Sequence, residues 1–199
     1  MSNGYALLYR LGITPWERYV KAAAASIGTL LDREEAERSH PPGRAIDLGC
    51  GRGLYSHELV RRGWEVVGVD NVPRAIDAAN RRGVSGATFM VGDVTDLASA
   101  GLGTFDFFLD IGCFQGLSSE QRLGEGRGVS ALANPGATLL MLAFQPTRMR
   151  SAAGGVSKAE VETAFPGWET LSVEAADTTG LGWPMNRTSP QWYRLRRAA

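Results

Sequence analysis

From residue 44 onward the chain repeats one unit, a short apolar run followed by a stretch with apolar positions at helical spacing. Strands buried on both faces read as continuous Val, Ile, Leu and Phe, and helical crossovers are what join such strands in parallel. The pattern predicts strands at Arg44–Leu48, Glu65–Val69, Ala87–Val91, Phe105–Asp110, Ala137–Phe144, Glu169–Glu174 and Gln191–Arg196. Between them it predicts helices at Leu54–Arg62, Pro73–Arg82, Ser119–Ala133 and Lys158–Phe165. Gly63, Gly83 and Gly136 follow three of these helices, where a glycine accepts a left-handed cap. Ahead of the sheet, Thr14 caps a helix that opens with Pro15 and runs to about Arg38, and His40-Pro41-Pro42-Gly43 stops it. Ala175 to Pro190 is rich in Thr, Gly and Pro without helical spacing, so the last strand is expected to return antiparallel as a hairpin.

The fold class is therefore α/β: a single Rossmann-like, seven-stranded, mostly parallel sheet with an antiparallel last strand and helices on both faces. A length of 199 residues fits one domain. Charge then narrows the partners. The 21 Lys and Arg cancel the 21 Asp and Glu, which argues against a protein built to coat nucleic acid or an acidic membrane. Arg61-Arg62 and Arg81-Arg82 end helices, where positive charge complements the dipole. Cys50 and Cys113 are too few for a disulfide framework and lack zinc-ligand spacing, so no metal is expected. Adjacent strands could still bring the two thiols together as a regulatory pair. No stretch is long and apolar enough to span a bilayer, and no export signal is legible, so the expectation is a cytoplasmic protein. Oligomeric state is left open.

The sharpest chemical feature is Asp47-Leu48-Gly49-Cys50-Gly51-Arg52-Gly53, a strand running through three glycines into a helix. Without side chains a turn lets a ligand lie against bare backbone, and a helix amino end favours a carboxylate. A dinucleotide fingerprint wants glycine where this chain has Leu54, and a phosphate-binding loop wants Gly-Lys-Ser/Thr, with no lysine near. Only Lys21 and Lys158 are present in the chain. Two further acids stand at matching places: Asp70 ends the second predicted strand and Asp93 follows the third.

With those residues counted together, the chain resembles the class I S-adenosylmethionine-dependent methyltransferases. The resemblance implies S-adenosylmethionine as cofactor and S-adenosylhomocysteine as product. It implies that Asp47 and the backbone of Gly49, Gly51 and Gly53 receive the methionine end. Asp70, with Asn71 beside it, would take the ribose hydroxyls, and Asp93 with the amide of Val94 would read the adenine edge. On this reading residues 1–43 are an amino-terminal helical cap, 44–145 the cofactor-binding core, and 146–199 lid segments with the carboxyl-terminal strand pair.

A second stretch, Phe105-Asp106 through Asp110-Ile111-Gly112-Cys113-Phe114-Gln115, lies where an open α/β sheet binds its ligands, beyond the strand ends at the reversal of strand order. Together with Arg122, Pro135-Gly136 and Thr14-Pro15-Trp16-Glu17 it resembles the small-molecule branch that includes thiopurine, thiol or halide, and tellurite-resistance methyltransferases. The resemblance implies a small-molecule methyl acceptor and places Trp16, Asp110, Cys113, Phe114 and Gln115 at the acceptor site, with Trp16 and Asp110 also near the cofactor. Tyr9, Phe144, Met149 and Trp183 are further candidate walls. Two positions depart from the branch: Ile111 stands where relatives have Arg, and Gln115 where they have His. Glutamine is no general base near neutral pH, so an acceptor that is already acidic suits the site best. A protein that binds the cofactor without transferring methyl is the alternative in keeping with those departures.

Overall fold

The computed structural model describes residues 15–38, 41–145, 155–179 and 189–198, with side chains from residue 26 onward. Seven strands form one sheet: β1 (Arg44–Leu48), β2 (Glu65–Asp70), β3 (Ala87–Val91), β4 (Phe105–Ile111), β5 (Ala133–Phe144), β6 (Trp168–Ala175) and β7 (Pro190–Arg197). Their order is β3-β2-β1-β4-β5-β7-β6, and β7 alone runs antiparallel to its neighbours. The expected single, mostly parallel sheet with an antiparallel last strand is what forms. Because β1 sits between β2 and β4, strand order reverses there, and the crevice opens beyond the carboxyl ends of these strands.

Five helices flank the strands: α1 (Pro15–Ala36), α2 (Leu54–Arg61), α3 (Pro73–Arg82), α4 (Ser119–Leu132) and α5 (Lys158–Ala164). Successive residues of one strand feed opposite faces. Ile46, Leu48 and Phe108 pack with Val129 of α4 and Val161 of α5, whereas Ala45, Phe107 and Leu109 pack with Ile27 and Leu31 of α1 and Leu59 of α2. Each such large side chain contributes roughly 1.5–3 kcal/mol by leaving water. The pattern left Val94–Ala100 unassigned, and this segment forms 3-10 turns.

Gly136 differs from expectation. Gly63 and Gly83 do follow α2 and α3 with φ of 94° and 63°, but α4 passes at Leu132 directly into β5, and Gly136 (φ 76°) lies inside that strand. Pairing steps from Phe105 with Ala133 to Phe107 with Thr138, so residues 134–137 bulge opposite Asp106. Asn134 Nδ2 donates to Asp106 Oδ1 at 2.7 Å, which anchors the bulge.

At the amino end of the sheet a buried polar cluster ties α1 to β5 and β7. Glu34 accepts from Arg38 Nη2 at 2.7 Å, from Arg194 Nε at 2.9 Å and from the Thr138 hydroxyl. Arg194 also reaches Glu37, and the Arg38 guanidinium lies 4.6 Å over the Trp64 ring. Every buried charge there has an opposite charge, as its burial requires.

Candidate active site

The turn after β1 needs its glycines. Gly49, Gly51 and Gly53 have φ of 66°, 55° and 71°, the left-handed region that other residues avoid. At two of them neighbours also exclude a side chain: a Cβ on Gly49 would come 2.8 Å from Cys113 Sγ, and one on Gly53 2.7 Å from the Phe89 ring. Bare backbone at Gly49 and Gly53 thus serves packing as well as ligand approach.

Three buried carboxylates stand at the carboxyl ends of neighbouring strands. Asp47 of β1 accepts from the Ser56 hydroxyl at 2.5 Å. Burial pushes it up to about 7, against the pull of that bond, and the charges of Asp110 and Asp70 add to the rise. Asp70 of β2 accepts from Gly51 N–H at 2.9 Å and Val72 N–H at 2.8 Å, which locks the glycine turn to the second strand. Burial raises Asp70 as well, while the two amides hold it down. Asp110 of β4 accepts from Cys113 N–H and Phe114 N–H, both at 2.9 Å. A hydroxyl, backbone amides and a second acid are thus among the partners of this acidic end. Asp93 is exposed and caps the 3-10 segment that begins at Val94; its Oδ1 accepts from Thr95 N–H and the Thr95 hydroxyl. Asn71 is exposed beside Asp70.

The turn after β4 is gripped from three sides. Asp110 takes its amides, Arg122 of α4 donates through Nε to the Phe114 carbonyl and through Nη2 to the Gln115 carbonyl, and Gln115 Oε1 accepts from Phe144 N–H at the end of β5. Arg122 is oriented in turn by Glu160 of α5 at 2.6 Å. Two capping boxes start the helices that deliver these groups, Ser118 with Gln121 and Ser157 with Glu160.

The expected site residues fall in different surroundings. Asp110 is fully buried, and its carboxylate accepts from the amides of the turn that follows β4. Phe114 is fully buried too, its ring 5.7 Å from that of Phe165. Phe144, at the end of β5, is buried. Gln115 has its carbonyl oxygen committed to Phe144, which leaves its amide as a donor only. Both cysteines are free thiols, and burial first, then the surrounding acids, push each up, so neither is a ready nucleophile. Trp16 lies in α1 with its side chain outside the described part; Tyr9, Met149 and Trp183 also lie outside the described residues. His57, one turn into α2, is exposed. Sequence reasoning gave no role to Ser56, Glu125 or Glu160, and none to Arg122 beyond its place in a pattern. The only signal in the chain is spacing, since Arg122 and Glu125 share one face of α4.

Residues 45–136 match the methyltransferase domain family. Among curated proteins the chain is 31% identical over 112 residues to 2-heptyl-1-hydroxyquinolin-4(1H)-one methyltransferase of Mycobacteroides abscessus, covering 54% of this chain and 49% of that one. It is 47% identical over 68 residues to magnesium-protoporphyrin O-methyltransferase of Rhodobacter capsulatus, covering 32% and 29%. The chain thus spans half or less of the length of these relatives. Among solved structures, one described as "Conversion of a Disulfide Bond into a Thioacetal Group during Echinomycin Biosynthesis" superposes with a TM-score of 0.75 at 22% identity, over 100% of this chain and 93% of the other. The N-methyltransferase NodS of Bradyrhizobium japonicum WM9, solved with S-adenosyl-L-homocysteine, gives 0.71 at 17% identity over 88% and 87%. The chain therefore has the Rossmann-like methyltransferase fold, and its segment from residue 45 to 136 matches the methyltransferase domain family.

Proposed function

We propose that this protein is an S-adenosylmethionine-dependent methyltransferase that moves a methyl group by in-line displacement to a heteroatom of a small molecule. The observation that carries the reading is the set of three buried carboxylates at the carboxyl ends of β1, β2 and β4, closed over by the glycine turn. Buried carboxylates whose partners are a hydroxyl and amides favour a positively charged ligand, and their mutual repulsion falls when one binds. The residues present fit the group. Each Asp70 oxygen accepts one amide and keeps a further acceptor position for a ribose hydroxyl, and Asp93 Oδ2 remains beside the Val94 amide for an adenine edge. When bound, the cofactor supplies a methyl carbon on a positively charged sulfur.

The chain's own residues then position and enclose. The Gly49–Gly53 backbone and Asp70 hold one side, and the gripped Cys113–Gln115 turn holds the other at a fixed distance across the β1–β4 reversal. Alignment of this kind is a large part of what a displacement requires from a protein. Gln115 offers an amide N–H to an acceptor that brings a lone pair, and no described side chain on the turn is placed as a base. An acceptor that is anionic or acidic, such as a thiol, phenol or hydroxylated heterocycle, is therefore the class proposed. The named relatives that act on a hydroxyquinolone and a porphyrin support a small-molecule acceptor. Purified protein incubated with methyl-labelled cofactor and a panel of thiols, phenols, N-heterocycles and halides is expected to label an acidic acceptor first. Cofactor binding with no label transferred to any of them would favour the non-catalytic alternative.

A further inference from the structure

Glu125 lies on α4 with none of its surface exposed, and the methyl-transfer reading makes no use of it. An ionised glutamate in such a place needs a cation or several donors. The nearest guanidinium is committed elsewhere, since Arg122 spends its N–H groups on the Phe114 and Gln115 carbonyls and on Glu160. What Glu125 meets is Asp110 of β4 and the thiol of Cys113, one ligand atom from each of the three lying within 4.8 Å of the others. With both carboxyls ionised, neither Glu125 oxygen has a donor, and two like charges face each other out of water. One proton on Glu125 removes the repulsion and turns the contact into a hydrogen bond accepted by Asp110.

Three glycines make room for this arrangement. A Cβ on Gly124 would come 3.0 Å from the Thr95 carbonyl oxygen, one on Gly128 3.1 Å from Leu97, and one on Gly126 would collide with the Ala164 carbonyl. Three glycines weaken a helix by roughly 1 kcal/mol each, and here they let the 3-10 segment and α5 close on the helix backbone around the acid. We propose that Glu125 is a positioning residue, a neutral carboxylic acid that donates to Asp110 and so fixes the Cys113–Gln115 turn on the acceptor side of the cleft. Its consequence for catalysis rests on the methyltransferase reading; the shared proton does not.

Among the described residues, the groups whose charge bears on Glu125 come from three parts of the fold. Asp110 comes from β4, Cys113 from the turn, and Arg122 from α4 itself; Asp47 and Asp70 lie one step further, beyond the thiol. The 3-10 segment meets α4 through Thr95 and Leu97, and α5 meets it through the Ala164 backbone, with Glu160 held on Arg122. Burial first, then the charge of Asp110, holds Glu125 well above the usual glutamate range, while Arg122 pulls weakly the other way. Asp110 is raised by burial, but the bonds from Glu125 and from the amides of Phe114, Cys113 and Gly112 keep it the better anion. A raised acid contributes stability that is whole below its unfolded value and is lost as pH rises toward its folded one.

The test uses the whole protein grown with isotopically labelled glutamate and read by infrared spectroscopy at neutral pH. A protonated-carboxyl band that shifts with the label, and is missing from Glu125→Gln, is expected. Because only glutamate is labelled, Asp47 does not contribute to the shift. Glu125→Gln, whose amide still donates to Asp110, should fold, show a thermal midpoint that falls less from about pH 6 to about pH 9 than the native one, and keep the methylation rate within about threefold. Glu125→Leu should lower kcat about tenfold or more while cofactor affinity changes less. No labelled acid band in the native protein would overturn the proposal without recourse to any variant. So would equal impairment of the Gln and Leu variants, or one equivalent of divalent metal held by the native protein and lost in Glu125→Gln. The infrared and thermal arms need no methyl acceptor, so a failure of the methyltransferase reading would be told apart from a failure of this one.

Discussion

At the amino end of the sheet Glu34 and Glu37 are held by Arg38, Arg194 and Arg196, whereas at the carboxyl end Asp47, Asp70 and Asp110 rest on a hydroxyl, backbone amides and another acid. Both ends bury carboxylates, and the cost of doing so differs accordingly. Internal neutralisation makes the first end a brace between α1, β5 and β7. At the second, a proton or a positively charged ligand is what lowers the repulsion among Asp47, Asp70 and Asp110, and that separates a candidate site from a structural cluster.

Removing one partner from the neutralised end should give the largest effect. Glu34→Ala leaves Arg38 without its counter-charge and Arg194 with the exposed Glu37 alone, and a loss of about 3–5 kcal/mol in denaturant unfolding is expected. Cofactor affinity of the folded fraction should be unchanged, since Glu34 lies at the far end of the sheet. Asp70→Ala should act in the opposite sense. Calorimetry is expected to show S-adenosylmethionine and S-adenosylhomocysteine binding weakened by about tenfold to a hundredfold, with a smaller change in stability. Equal losses of stability and equal retention of binding in the two variants would dissolve the contrast.

Asp47 sharpens the contrast through pH. Its folded value is raised to about 7, so its contribution to stability is whole below the usual aspartate range and is lost as pH rises toward about 7. Asp47→Asn should flatten that decline and be more stable than the native chain by roughly 2 kcal/mol at about pH 8, read from unfolding curves across pH. The smallest effect belongs to Cys113→Ser. Its thiol is pushed up by burial and the nearby acids, so no thiolate is lost, and the rate should stay within about threefold.

The contrast also explains what was legible in the sequence. The sheet and the glycine turn are local: Ile46, Leu48 and Phe107–Leu109 declare themselves as continuous apolar runs, and Asp47 through Gly53 are contiguous. Asp70 was found because it ends a recognisable strand. The turn after β4 is instead held by Arg122 and Phe144, 7 and 29 positions from Gln115, and by Glu160, a further 38 positions beyond Arg122, which only the fold brings together. The motif names Phe114 and Asp110 as site residues, but their complete burial against the fold is not legible in it. Gly136 was misread for a related reason, since a bulge inside β5 depends on register with β4 and leaves the same Pro-Gly signal as a helix stop.

The most direct test of the central claim compares S-adenosylmethionine, whose sulfur is positively charged, with neutral-sulfur S-adenosylhomocysteine by calorimetry across pH. Both ligands share their amine and carboxylate, so the ratio of their affinities isolates the charge on sulfur. Both are expected to bind and NAD is not, and the ratio is expected to shift severalfold toward S-adenosylmethionine as pH rises through about 7 and Asp47 ionises. Binding of neither, or a ratio that stays flat across that range in the native protein and in Asp47→Asn alike, would contradict that claim.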